Sequence, residues 1–388
     1  MSGKVSRLLA LFGTFLGVAS VDSYVSSLAS VQSVFNVPYF YMQITVMVTP
    51  LFGVFLGPLY AVLASRLKAQ RVLFACLLTL ALGFCLTYFS NSYESFLISR
   101  IVQGIGSTGI TFSTLAYIME SKEPRDFPLL SGIFTFVMPL SWCISPLWGS
   151  FLIHLYGFKS SFLALLVLSV LCLLSFRFFT NKEKTVQPLS HFDASKFFRY
   201  FKDSDVLLSV VYALPLGIFC FLITVNPILC VQIFNGSLLE IACVQSFSAM
   251  IVIVTTLYNY SQSGKGTKWN RKVSALLYSL FVILALISFL SLRNNALTCL
   301  ILHNLLVGSL IGLVSYPALQ VLTLKSKVNS RLEFSAFLST ARNSIIVLCM
   351  FLFAIIFNKN HNLFFNTLLL VYPILIACWG FILRRYNG

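Results

Sequence analysis

Residues Phe40 to Arg71 read FYMQITVMVTPLFGVFLGPLYAVLASRLKAQR. From Phe40 to Ala64 the run carries no charge, and three cations (Arg66, Lys68 and Arg71) follow within seven residues. A helix needs about 20 apolar residues to cross the hydrocarbon core of a bilayer. This stretch is long enough, and its basic end marks the side on which the chain emerges. The pattern predicts a transmembrane helix followed by a short basic loop.

The same pattern recurs outward in both directions. Twelve apolar segments are expected, at about 7–29, 40–64, 72–90, 95–119, 128–153, 160–180, 206–231, 238–260, 273–292, 296–320, 333–357 and 363–383. Apolar residues are 58% and charged residues 10% of the 388 positions, too few charges to cover a water-soluble body of this size. Mean hydropathy is +0.90. This excludes a soluble enzyme and a disordered chain. It also argues against a β-barrel, whose strands alternate over about ten residues. The first segment, preceded by Lys4 and Arg7, imitates a signal peptide but reads as an uncleaved anchor, because eleven further spans follow.

With the N-terminus placed in the cytoplasm, 22 of the 27 Lys and Arg fall in inner loops and ends. Lys159, Arg293 and Lys359 fall outside, and Arg100 and Arg342 lie within spans. The asymmetry follows the positive-inside rule. The net charge of +16 therefore sets topology and is not read as a nucleic-acid footprint. The polar segment 181–205 divides the spans six and six, with residues 192–202 suited to a basic amphipathic helix on the inner leaflet. The expected organisation is an N-terminal bundle over 1–180, a cytoplasmic linker over 181–205 and a C-terminal bundle over 206–388. The ten cysteines all lie in apolar runs without a CxxC spacing, so neither disulfides nor a metal site is indicated. No GxxxxGK[ST], HExxH or GxSxG occurs. SGKGTKW at 263–269 lacks the nucleotide-loop spacing.

Four motifs carry a resemblance. AVLASRLKAQR (61–71) resembles G-x-L-A-D-R-x-G-R-R, with Ala61 and Lys68 in place of glycines and Ser65 in place of Asp. FLISRIVQGIGSTG (96–109) resembles R-x-x-Q-G-x-G through Arg100, Gln103, Gly104 and Gly106. Pro139 and SPLWGS (145–150) resemble the antiporter signature G-P-x-x-G-G, keeping Pro146 and Gly149 but replacing glycines by Ser145 and Ser150. YGFKSSF (156–162) resembles the G-W-R-x-x-F that follows it. In the first span, Asp22 is followed two positions later by Tyr24, and Gln43, Thr45, Tyr60 and Arg66 keep the matching intervals. NPILCVQIFNGS (226–237) resembles S-P-F-x-x-Q-x-x-x-G-x-S, and Asn259 and Ser335–Ala336 also fall in step.

Together these are similar to the major facilitator superfamily, and within it to the bicyclomycin/chloramphenicol-resistance branch. The resemblance implies an all-α integral membrane fold of two six-helix bundles with both termini cytoplasmic. It implies a multi-pass protein of the bacterial inner membrane, not an enzyme, exporting small drugs or metabolites against protons. No cofactor beyond the proton motive force is implied. The expected partners are membrane lipid and a small-molecule substrate, and the expected state is a monomer. Arg66, Gln103, Gly104, Pro139, Pro146 and Gly149 would serve gating, and Ser65 cannot carry the charge that the loop's Asp supplies elsewhere. Two alternatives stay open: a transporter dedicated to one nutrient, and a membrane sensor or scaffold that no longer transports.

The intramembrane charges are read from the residues themselves. Asp22 lies about 15 residues into the first span, roughly 8 Å from the outer face at 1.5 Å per residue. Arg100 lies about five residues into a span running inward, hence at the same depth. Burial favours the neutral acid and a neighbouring guanidinium favours the carboxylate. A switchable Asp22–Arg100 contact is therefore expected to couple protons. Arg342 sits near mid-membrane, with Glu333, a substrate anion or water as its possible partner. His303 reads as a core histidine. Tyr24, Gln43, Met47 and Tyr117 from one half, and Phe219, Asn226, Gln245, Tyr316 and Gln320 from the other, are expected to line the pocket together with Arg342.

Overall fold

The computed structural model describes residues 2–119, 126–180, 192–200, 206–228, 237–262 and 331–359, with single residues at 202, 230, 231, 283, 304, 307, 308 and 311. Apart from those single residues, the expected spans at 273–292, 296–320 and 363–383, and with them His303, Tyr316 and Gln320, lie outside the described residues.

Among the described residues every regular element is a helix. In a bilayer the backbone must satisfy its own polar groups, and a helix does so within one segment. The elements are α1 (Ser2–Val25), α2 (Leu28–Phe35), α3 (Tyr39–Leu67), α4 (Ala69–Phe89), α5 (Tyr93–Met119), α6 (Asp126–Tyr156), α7 (Phe158–Thr180), α8 (Ala194–Tyr200), α9 (Val206–Ile228), α10 (Leu238–Gln262) and α11 (Arg331–Lys359). Seven of them (α1, α3, α4, α6, α7, α10 and α11) are long and apolar enough over most of their length to span a membrane. The bundle's outer surface is greasy: Phe55, Phe89, Phe151 and Leu174 are each more than half exposed. On a soluble protein such a surface would aggregate, and facing lipid it is the expected finish.

α1 packs against α5, α6 and α7, and α4 against α5 and α7. α9 packs on α11. Contacts between the first and second halves run through α3 on α11, α6 on α10 and α2 on α9. The first predicted span is divided: α1 ends at Val25, and after Ser26–Ser27 the chain resumes as α2. α2 ends at Asn36, whose φ of 50° is the left-handed cap that Asn tolerates.

Two connections carry information. Lys68 alone separates α3 from α4, with φ 70°. The motif that this loop resembles has glycine at that position, and the turn has kept the glycine geometry while the residue changed. The predicted linker helix exists as α8, but it does not present both aromatics to lipid. Phe197 is buried, and its ring and that of Tyr200 pack on Phe334 and Phe337 of α11, while Phe198 stays exposed. Asp193 caps α8, its Oδ1 accepting from the Ser195 hydroxyl at 2.7 Å and the Ser195 amide at 2.9 Å. These bonds hold the Asp193 carboxyl below its usual range.

Candidate functional site

A cavity of about 150 Å³ lies between the halves, walled by α1, α3, α5, α6, α9 and α11. Most of its lining is apolar or weakly polar, including Val21, Val46, Phe112, Met138, Trp142 and Leu216. Two charged side chains reach it: Asp22 from α1 and Arg342 from α11. Cys220 of α9 also lines the cavity, within electrostatic range of both.

Asp22 is held by a chain of hydroxyls. Its Oδ2 accepts from Ser141 Oγ at 3.3 Å, and Ser141 pairs with Ser145 at 3.1 Å. One turn further along α6, Ser150 pairs with Ser26, just past the end of α1, at 2.6 Å and with Ser27 at 3.3 Å. Ser26 Oγ also donates to the Pro146 carbonyl at 3.4 Å. Thus the two departures from the antiporter signature are both engaged: Ser145 supports Ser141, which holds the carboxylate, and Ser150 ties α6 to the Ser26–Ser27 break. Gly149 supplies the room for this approach: a Cβ there would overlap the carbonyl of Ser23. Small residues let helix backbones meet in this way. Pro139 and Pro146 both lie inside α6, which continues as one helix through them.

Arg100 is fully buried and does not line the cavity. Its Nη1 donates to the Ser20 carbonyl at 2.8 Å and to Gln103 Oε1, and its Nε reaches the Thr45 carbonyl at 3.4 Å. The guanidinium sits over the Tyr24 ring, 4.8 Å from its centroid. Gln103 in turn donates to the Gly83 carbonyl at 3.2 Å and to Thr87 Oγ1. One guanidinium therefore ties α1, α3 and α5 together, and its own glutamine extends the tie to α4. Gly104 meets α3 at Thr49 and Phe52, and Gly106 lies against the Leu80 backbone of α4. Arg100 reaches Ser20, two residues from Asp22, so the two charges share one level of the bundle. They form no ion pair here: the carboxylate is on Ser141 and the guanidinium on carbonyls.

The predicted lining residues fall into place unevenly. Arg342 is on the cavity wall. Phe219 is one layer behind it, its ring 5.6 Å from that of Trp142. Tyr24 is wholly buried, with its hydroxyl on Thr45 at 2.9 Å and its ring edge-on to Phe96. Tyr117 lies at the linker end of the bundle, paired with Ser6 at 2.6 Å and beneath Arg7. Gln43 is at the opposite end, accepting from Asn358 Nδ2 at 3.1 Å across the α3–α11 contact. Asn226 donates to Asn304 at 2.7 Å, and Gln245 to the Ile223 carbonyl at 3.0 Å. Arg66 is exposed at the end of α3, and Ser65 turns back to the Val62 carbonyl at 2.8 Å. Glu333 is not the partner of Arg342: its Oε1 accepts the Asp193 amide at 3.0 Å, at the start of α8.

Sequence reasoning missed Ser141, Trp142, Cys220, Asn343 and Asn358. Ser141 was discoverable as one helical turn from Ser145, and Asn358 as an amide inside an apolar run. Nothing in the sequence marked Trp142 or Cys220 as facing inward.

Residues 10–354 match the Major Facilitator Superfamily. A stretch of 165 residues is 30% identical to the chloramphenicol resistance protein CraA of Acinetobacter baumannii, covering 42% of this chain and 38% of that protein's length. The fold is similar to a bacterial homologue of the human lysosomal transporter Spinster, solved inward-facing and occupied (TM-score 0.72, 15% identity, 98% of this chain and 92% of that one). It is also similar to the human organic anion transporter TETRAN (TM-score 0.64, 14% identity, 97% of this chain and 99% of that one).

Proposed function

The chain belongs to the major facilitator superfamily, and from that premise we propose that it is a proton-coupled secondary transporter that exports small amphiphilic compounds from a bacterial cytoplasm across the inner membrane. The observation that carries the reading is the cavity between the halves, with the Asp22 carboxylate on its wall. In transporters of repeated bundles the site lies at the interface and the halves rock about it. An ionisable group within a span is costly and is kept for function. The partial likeness to CraA supports a drug or drug-like substrate.

In this mechanism Asp22 takes a proton from one side and releases it to the other. Ser141 and Ser145 orient the carboxylate toward the cavity. Arg100 does not bind substrate. It holds α1, α3 and α5 in register around the acid. Exchange of substrate for proton needs no further cofactor, and a single chain contains both halves of the site.

Proton movement in everted vesicles tests this, with wild type and Asp22→Asn challenged by a panel of drugs and metabolites. At least one compound is expected to dissipate an imposed proton gradient with wild type and not with Asp22→Asn. Equal responses from both would remove Asp22 from the coupling. Silence from wild type across the panel, with transported label still accumulating, would replace proton exchange by another drive.

A second reading, a transporter dedicated to one substrate, is favoured by one observation: a second charge, Arg342, narrows what the cavity accepts. Range of substrates separates it from the first, several unrelated compounds against one.

A further inference from the structure

Arg342 stands on the cavity wall, and its guanidinium makes no hydrogen bond or ion pair with a described residue. Its Nε is buried and unsatisfied. Five N–H donors on a fixed plane demand acceptors, and leaving such a group unpaired inside a protein is expensive. Neither Glu333 nor Asp22 pairs with Arg342. Glu333 is committed to the start of α8. Asp22, across the cavity on α1, accepts from Ser141 and forms no ion pair with Arg342. Arg100 is on the carbonyls of Ser20 and Thr45 and away from the cavity. Among the described residues no side chain supplies the acceptor for Arg342, and the cavity is where one can enter.

We infer that the cavity takes an organic acid: a compound whose carboxylate docks on Arg342 and whose apolar or aromatic body lies against Trp142, Phe112 and Met138. A planar guanidinium matches a carboxylate with two parallel hydrogen bonds, which a neutral amide or ester cannot reproduce. The surrounding walls are apolar enough to hold a ring system and to strengthen the charge contact by excluding water. Asp22 sets the other limit. While ionised it repels a second acid group and tolerates only one, so a monoanion is accepted and a dianion is not. Arg342 belongs to α11, and Met138 and Trp142 to α6, so a bound acid bridges helices of opposite halves. This inference rests on the transporter reading for its purpose but not for its test.

The test is binding to the purified full chain by calorimetry, at neutral pH and without any gradient. The probes are 1-naphthoic acid, its methyl ester and 1-naphthylmethylamine. The acid is expected to bind wild type about tenfold or more tighter than either. Arg342→Gln is expected to lower acid affinity by about tenfold or more while leaving the ester unchanged, and Arg342→Lys to fall between, keeping the charge but losing the paired geometry. Ester binding and an unshifted unfolding temperature show that each variant is folded. Equal affinity for acid and ester, tighter binding of the amine, or an acid preference that survives Arg342→Gln would each overturn the inference. Selective acid binding with no proton movement in vesicles would leave it standing and sink the transport reading alone.

Discussion

Arg100 and Arg342 are chemically identical and do different work. Arg100 is held by the carbonyls of Ser20 and Thr45 and by an aromatic face, whereas Arg342 faces the cavity without an acceptor among the described residues. Residue counts place each along its span but do not disclose its direction around the helix. Tyr24 follows Asp22 by two positions, which is about 200° of helical turn. The two cannot face one cavity, and Tyr24 instead floors Arg100. Gln43 is on the same face of α3 as Val46 and Pro50, but one turn too far toward the helix end, where it meets Asn358. Depth along a span is legible from residue counts, while azimuth depends on neighbours that only packing reveals. Arg100→Gln is expected to leave the carbonyls of Ser20 and Thr45 unpaired. It should cost on the order of 2 kcal/mol, read as a lower midpoint in thermal unfolding of the detergent-solubilised protein, even with a transportable compound bound. An unchanged midpoint would reduce Arg100 to a bystander.

At the scale of elements, the span boundaries read from hydropathy agree with the helices among the described residues to within a few residues, because the bilayer's thickness and the backbone's need for internal hydrogen bonds set both. What the apolar pattern could not disclose was the break at Ser26–Ser27, where hydroxyls bond across to α6 instead of along the chain. Nor could it tell that α8 would bury Phe197 on α11. The motif departures are legible only afterwards, as Ser145 and Ser150 turn out to be partners, not losses. Helix contacts here are tight enough to discriminate small changes. Gly149→Ala is expected to force α6 off Ser23 and destabilise by about 1–3 kcal/mol. Gly132→Ala on the same helix meets nothing within 4 Å and should be neutral or slightly stabilising. Comparing the two by thermal unfolding separates crowding from helix propensity. Lys68, at φ 70°, occupies a conformation that suits glycine. Lys68→Gly is expected to stabilise the α3–α4 turn by about 1 kcal/mol, and a lower unfolding temperature would show that the Lys side chain, not the turn, holds that corner.

For the whole molecule, the contacts between halves place α3 against α11 from the cavity to the end opposite the linker. Gly53 lies under Asn343, and Gln43 meets Asn358 beyond it. If the halves rock, this contact must open once per cycle. In a background stripped of the native cysteines, Gln43→Cys with Asn358→Cys is expected to cross-link under mild oxidation and arrest transport, with recovery on reduction. Transport that continues in the cross-linked protein would mean that α3 and α11 move as one body. At the other end, Glu333 and the aromatic pair Phe334 and Phe337 anchor α8 to α11. The described part of the linker is therefore tied to the helix that carries Arg342.

The central claim is that Asp22 couples protons and does not itself hold the fold or the substrate. Proteoliposomes containing wild type or Asp22→Asn, loaded with a compound that the vesicle panel identifies, allow two measurements on one preparation: exchange of labelled for unlabelled compound without a gradient, and accumulation driven by a pH difference. The account predicts that Asp22→Asn retains exchange and loses accumulation. Accumulation that persists in Asp22→Asn, or exchange lost along with it, would contradict the assignment of Asp22 as the coupling acid.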